Sequence, residues 1–234
     1  MLRRWLPGLL ALLLTLPAAA LELVPTTLQL PAAGGRTELW LHNPGPAPWR
    51  GRLQIWAWDQ QTGAERLQRS EQVLASPTLI DLPAGARQRV WLLPRTPAPV
   101  AAEKAYRVLL TPDDRRQPRY SLPLFRGSDP ADAPARLWVE TAGNAAQPEL
   151  RLHNEGPRHA RLSDLVYEDA QGEPHVLLPG LAGYVLADRE RHWQLPARAD
   201  GYRGGRFRAR LQDGEAQVLS APRPAIAADA SAGL

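Results

Sequence analysis

Thr37–Pro48 reads TELWLHNPGPAP, and Pro148–His159 reads PELRLHNEGPRH. The two stretches share Glu-Leu-x-Leu-His-Asn-x-Gly-Pro. In each, two leucines two residues apart fall on one face of an extended strand: Leu39 with Leu41, and Leu150 with Leu152. Asn-x-Gly-Pro then ends the strand. Asn and Gly tolerate left-handed dihedrals, and Pro removes a ladder donor. One strand and its turn are written twice, so the chain reads as two units of one design. Two units are too few for a solenoid.

The sequence around the repeat is all-β. Prolines, 24 of them, are scattered beside glycines, with short β-prone runs between. GRLQIWAWDQ alternates Leu53, Ile55 and Ala57 against Gln54, Trp56 and Trp58. RQRVWLLP and KAYRVLLTP read as further strands. RYSLPLFR alternates Tyr120, Leu122 and Leu124 against Ser121, Pro123 and Phe125. No long stretch beyond the leader carries a helical period. GSDPADAPA, between Gly127 and Ala135, lacks large apolar residues and reads as a linker. Seven or eight short strands on either side fit an immunoglobulin-like sandwich. The reading is therefore a leader over 1–20, one sandwich over 21–127, a linker over 128–135, a second sandwich over 136–223 and a flexible tail over 224–234.

The leader has the parts of a secretory signal. MLRR is basic, WLPGLLALLLTL is apolar but shorter than the roughly 20 residues that span a bilayer, and PAAA is a small-residue cleavage pattern. Cutting after Ala20 gives an exported protein with no stable membrane insertion; an uncleaved anchor is the alternative. The chain has no cysteine, so no disulfide staples it. Two units of about 100 residues can each bury an adequate core without one. The formal net charge is +4, and Arg3 and Arg4 of the leader supply part of it. Lys104 is the only lysine. Asp113–Arg119, DDRRQPR, mixes both signs, and no block of like charge forms a nucleic-acid stripe.

Catalytic signatures are missing. There is no Gly-rich phosphate loop, no His-x-x-x-His pair and no Gly-x-Ser-x-Gly elbow. Of the five histidines, His42 and His153 are repeat equivalents at strand ends, which favours a structural role. His153 with His159 is the only near pair, too little for a metal site. The expectation is a protein with no enzymatic activity, cofactor or metal.

The first half resembles the periplasmic pilus-assembly chaperones, in its archaic or spore-coat-like branch. VPTTLQL, LWLHNPGPAP, ASPTLIDLPAGARQRVWL, EKAYRVLL and RYSLPLF stand in family order, followed by LRLHNEGP, LLPG and ADGYRGG in the second half. The resemblance covers roughly Leu21 to Ser220. It implies two immunoglobulin-like sandwiches set at an angle, with a cleft between them. It also implies a periplasmic protein that lends a β-strand to pilin subunits and delivers them to an outer-membrane usher. Strand addition of this kind draws affinity from backbone bonds and specificity from alternate side chains. Carried over residue by residue, the lent strand ends in RYSLPLF, with Tyr120, Leu122 and Leu124 facing the client; the same alternation would also serve a core. Glu103, Arg126 and Asp200 stand where the family places an ionic bridge between domains, or are three unrelated surface charges.

Three departures accompany the resemblance. The family's client-carboxylate anchor, an arginine after Pro-Thr, is Thr27 here; a hydroxyl lacks the charge and the fork of a guanidinium. The basic residue on the last strand of the first domain is replaced by Pro123, flanked by Arg119 and Arg126, so Thr27 and Arg119 are the candidate anchors. The residues before RYSLPLF are polar, DDRRQP, so the lent strand reads as shortened. A degenerate two-sandwich binding module of a pilus system is the alternative function.

Overall fold

The computed structural model describes residues 20–97, 100, 102–127 and 134–221. Nearly all of the leader, most of the linker and all of the tail lie outside them. The first unit has ten strands: β1 (Glu22–Val24), β2 (Leu28–Pro31), β3 (Thr37–His42), β4 (Trp49–Asp59), β5 (Arg66–Arg69), β6 (Val73–Ser76), β7 (Leu79–Leu82), β8 (Arg87–Pro94), β9 (Lys104–Pro112) and β10 (Tyr120–Gly127). The second has seven: β11 (Leu137–Asn144), β12 (Gln147–Asn154), β13 (Ala160–Glu168), β14 (Pro174–Val185), β15 (Arg189–Gln194), β16 (Arg206–Leu211) and β17 (Ala216–Val218). The first unit exceeds the expected seven or eight because prolines split runs. Pro25 separates β1 from β2, and Pro77 separates β6 from β7, each taking a donor out of the ladder.

In the first unit one sheet runs β1-β3-β8-β6, and the other runs β2-β10-β9-β4-β5 with β7 also on β4. The chain thus changes sheet between β1 and β2. β2 joins β10 in parallel, from Leu28 opposite Leu124 to Pro31 opposite Gly127. In the second unit the sheets are β11-β12-β15 and β14-β13-β16-β17. Alternation fills each interior. Leu39, Leu41, Val90, Leu92, Val108 and Leu110 are fully buried in the first core, and Leu150, Leu152 and Leu162 in the second. Each buried leucine is worth about 1.5–3 kcal/mol of transfer energy. Among the described residues no helix is long and apolar enough to cross a membrane.

The repeated motif does the same work twice, though not through left-handed dihedrals. None of Asn43, Gly45, Asn154 and Gly156 takes a positive φ. Instead the asparagine is a buried hydrogen-bonding hub. Asn43 Nδ2 donates to the carbonyls of Ala47 (2.9 Å) and Leu82 (3.0 Å), and its Oδ1 accepts from Gly45 N–H (3.1 Å). Asn154 Nδ2 donates to the carbonyls of Arg158 and Leu186 (3.0 Å), and its Oδ1 accepts from Gly156 N–H (2.9 Å). Each hub ties its turn to the chain coming from a later strand. Gly156 is needed for close approach, since a Cβ there would lie 2.6 Å from the Arg136 nitrogen.

Candidate functional site

The outer face of the first unit's larger sheet meets the second unit. Trp58 comes from β4 and Phe125 from β10; Tyr184 and Leu186 arrive from β14 and the loop after it. All four are buried, in a cluster separate from either core. Trp58 meets Tyr184 edge to face at 5.5 Å, and Phe125 stacks on His159 at 3.5 Å with ring planes 7° apart. Gln60, fully buried, donates to Tyr184 O (2.8 Å) and accepts from Leu186 N–H (2.9 Å). A buried amide with both ends used is geometrically exacting, so it fixes how the units meet.

Glu103 clasps the junction from the start of β9. Its Oε1 accepts from the main-chain N–H of His159 (2.8 Å) and lies 2.7 Å from His159 Nδ1, while Oε2 lies 3.6 Å from Arg158 Nε. Its carboxylate is 1% exposed. On the far flank Arg189 pairs with Asp59 (2.6 Å) and Arg191 with Glu65 (3.5 Å). Gly63 completes that flank; a Cβ there would fall 2.3 Å from the His192 ring.

Among the described residues, Glu103 carries contacts that cross between the units. Arg126 points inward at the end of the first sandwich, where its Nη2 donates to Thr96 O (3.0 Å). Asp200 stays in the second unit. It receives Arg198 Nε on both oxygens at 2.8 Å and Tyr202 N–H at 2.9 Å, and the Arg198 bond holds its carboxyl below the usual range. Arg158 and His159 are the partners of Glu103 across the joint, because the units meet at the turn of the second motif.

The expected lent strand is β10. It pairs with β9 from Tyr120 to Arg126 but with β2 only from Leu124 onward. Among the described residues no strand covers the outer edge of Tyr120–Pro123, so half of the β10 edge is free. Leu122 and Leu124 turn into the first core, 8% and 0% exposed, and the half-buried Tyr120 packs against that core. Core packing, the alternative left open by the alternation, describes these side chains in the chain alone. Tyr120 Oη also accepts from Leu21 N–H (2.6 Å). The polar segment before β10 is folded on itself, with Arg116 forked onto Asp114 and Gln117 N–H on Asp114 O.

Thr27 and Arg119 are the two anchor candidates. Thr27 is exposed in the bend just before β2, one residue ahead of the β2–β10 ladder. Arg119 is exposed and four residues from Pro123, roughly 13 Å along an extended strand. The structure does not bring the two together. It brings a residue absent from the sequence reading: Arg107, on β9, stands directly opposite Pro123 and Trp56 on the outer face. Its guanidinium lies 3.7 Å from the Trp58 ring centroid and 5.8 Å from that of Tyr184. Burial pushes its pKa down, against the raising field of Glu65. Among the described residues it has no hydrogen-bond acceptor and no ion-pair partner. A half-buried guanidinium stacked on an aromatic face keeps its N–H edges for a planar anion. KAYRVLLTP reads as a strand, but the place of Arg107 beside Pro123 needed the strand order.

Among the described residues no group of three or more His, Cys, Asp or Glu could hold a metal ion. Neither a family model nor a curated relative matches the sequence. Solved structures do. A chain of the CsuC–CsuE chaperone–tip adhesion subunit pre-assembly complex, from the archaic chaperone-usher Csu pili of Acinetobacter baumannii, is 20% identical with a TM-score of 0.71; the match covers 88% of this chain and 100% of that one. The E. coli chaperone DraB is 15% identical with a TM-score of 0.57, over 87% of this chain and 97% of that one. The Pseudomonas aeruginosa CupB2 chaperone is 12% identical with a TM-score of 0.56, over 84% and 97%. At these identities the likeness is one of fold. The chain has the two-sandwich architecture of the pilus-assembly chaperones.

Proposed function

We propose that the protein is a non-enzymatic periplasmic chaperone of pilus assembly. It captures strand-deficient pilin subunits on the free half-edge Tyr120–Pro123 and passes them to an outer-membrane usher. The unpaired half of β10, beside Arg107 stacked on the Trp58 ring, carries this reading. An open edge offers main-chain donors and acceptors to an incoming strand. With Leu122 and Leu124 committed to the first core, capture draws on backbone pairing and on Arg107, which takes the client's terminal carboxylate in place of the arginine that Thr27 replaces. The fold shared with CsuC–CsuE, DraB and CupB2 supports the same class.

Co-expression with a pilin subunit, followed by co-purification, tests it. Wild type retains the pilin. Arg107→Ala, a change on the outer face of the sheet, lowers the affinity by about tenfold or more, since a charge-assisted bond is worth about 1.5–3 kcal/mol. Undiminished capture by a folded Arg107→Ala protein would contradict the anchor. The folded segment Asp114–Gln117 favours a second reading, a two-sandwich binding module that lends no strand. A protein that never retains any pilin from its own pilus system would establish that reading.

A further inference from the structure

The sheet on the opposite side of the first unit leaves one face without a partner. Its inner residues are core; its outer ones come from alternate positions of β1, β3, β8 and β6. The registers set Val24 beside Trp40 and Trp40 beside Arg89, and likewise Leu74 beside Leu93. Val24, Trp40, Leu74 and Leu93 are 63%, 39%, 38% and 38% exposed. They are four of the six large hydrophobic residues exposed among the described residues of this unit, the others being Leu67 and Leu79. Single exposed leucines are ordinary, but a contiguous apolar patch marks an interaction surface.

Cations are built into the same face. Arg36 lies 4.0 Å over the Trp91 ring, and Arg89 lies 4.3 Å over Trp91 and 5.3 Å over Trp40. The rings hold both guanidiniums close over the outer face of the sheet. The acids of the face are already engaged. Glu22 is 2.8 Å from His42 Nδ1, and Glu38 accepts from Trp40 Nε1 and pairs with Arg89. Arg36 and Arg87 have no carboxylate partner among the described residues. The unused polar capacity of the face is therefore cationic, set among tryptophan and aliphatic side chains. Amphipathic rings beside snorkelling cations, on an open sheet, are the chemistry of a lipid headgroup layer.

We propose that the β1-β3-β8-β6 face docks the protein peripherally on an anionic membrane surface. No segment inserts: arginine edges meet lipid phosphates while Val24, Trp40, Leu74 and Leu93 rest among the headgroups. Docking leaves the β10 half-edge open, because that strand belongs to the other sheet.

Co-sedimentation of the mature protein with vesicles tests the surface. Vesicles of mixed phosphatidylglycerol and phosphatidylcholine should carry it down at low salt and release it at high salt, and phosphatidylcholine alone should not hold it. Each arginine near an anionic surface contributes about 1 kcal/mol, so Arg36→Ser with Arg87→Ser should weaken binding by about thirtyfold. Both side chains lack ion-pair partners, so folding should survive, as a thermal melt checks. Trp40→Ser is the second variant and should lose binding and the blue shift of tryptophan fluorescence. Absence of binding, or binding that both variants retain, would overturn the proposal. So would a concentration-dependent dimer in sedimentation velocity that Trp40→Ser abolishes, since the face would then be covered by a second copy.

Discussion

Phe125 of β10 and His159 of the second unit stack face to face, ring centroids 3.5 Å apart. The strand that carries the free half-edge therefore ends in the joint between the two sandwiches. His159 is held from its other side by Glu103, so edge, joint and clasp form one contiguous set of contacts.

Glu103→Ala should be the most damaging single change at the joint. It leaves His159 N–H and Arg158 facing a gap where a buried carboxylate stood, and breaking such a pair costs about 3–5 kcal/mol. Asp200→Ala should act only on the second unit's own loop. Chemical denaturation with a probe in each unit distinguishes them. An unaltered transition for Glu103→Ala would remove the clasp from the account.

The two motif asparagines should behave alike. Asn43→Ala and Asn154→Ala each orphan several main-chain groups, and an unsatisfied buried group costs about 1–3 kcal/mol. Both variants should lose stability, each in its own unit. If either proved neutral, the motif would be a turn formed without its hub.

These hubs mark what could be read from the sequence. The repeat gave two units, and alternation placed Leu39, Leu150 and the two faces of β4 correctly. The asparagine's role was hidden, because its buried acceptors lie some 30–40 residues later on other strands. Arg107 was hidden for a similar reason: it stands beside Pro123 only when β9 and β10 are neighbours. Glu103 was legible as a junction residue and its partners were not, since partner identity depends on the angle between units, which no single strand encodes. Leu122 and Leu124 show the limit of period-two patterns, which separate two faces without naming which is the core.

Acid should expose one local network. Asp169 has a carboxyl lowered from 3.8 to about 2, first by its bond with His175 and then by the N–H groups of Glu173 and Gln171. A depressed carboxyl contributes stability above its unfolded pKa and loses it as pH falls through the folded one. Asp169→Asn should therefore be less stable than wild type at neutral pH, with the gap closing between about pH 4 and pH 2. Melting temperatures across that range measure it; a gap independent of pH would assign the loss to packing.

The central claim is that a client strand adds to the open half of β10. Hydrogen exchange of the main-chain amides in the mature protein, free and bound to a pilin, tests it most directly. The account expects protection gained at Tyr120–Leu122 on binding, with β5 and β17, edge strands elsewhere, unchanged. Protection appearing at another edge, while Tyr120–Leu122 exchange as freely as before, would contradict it.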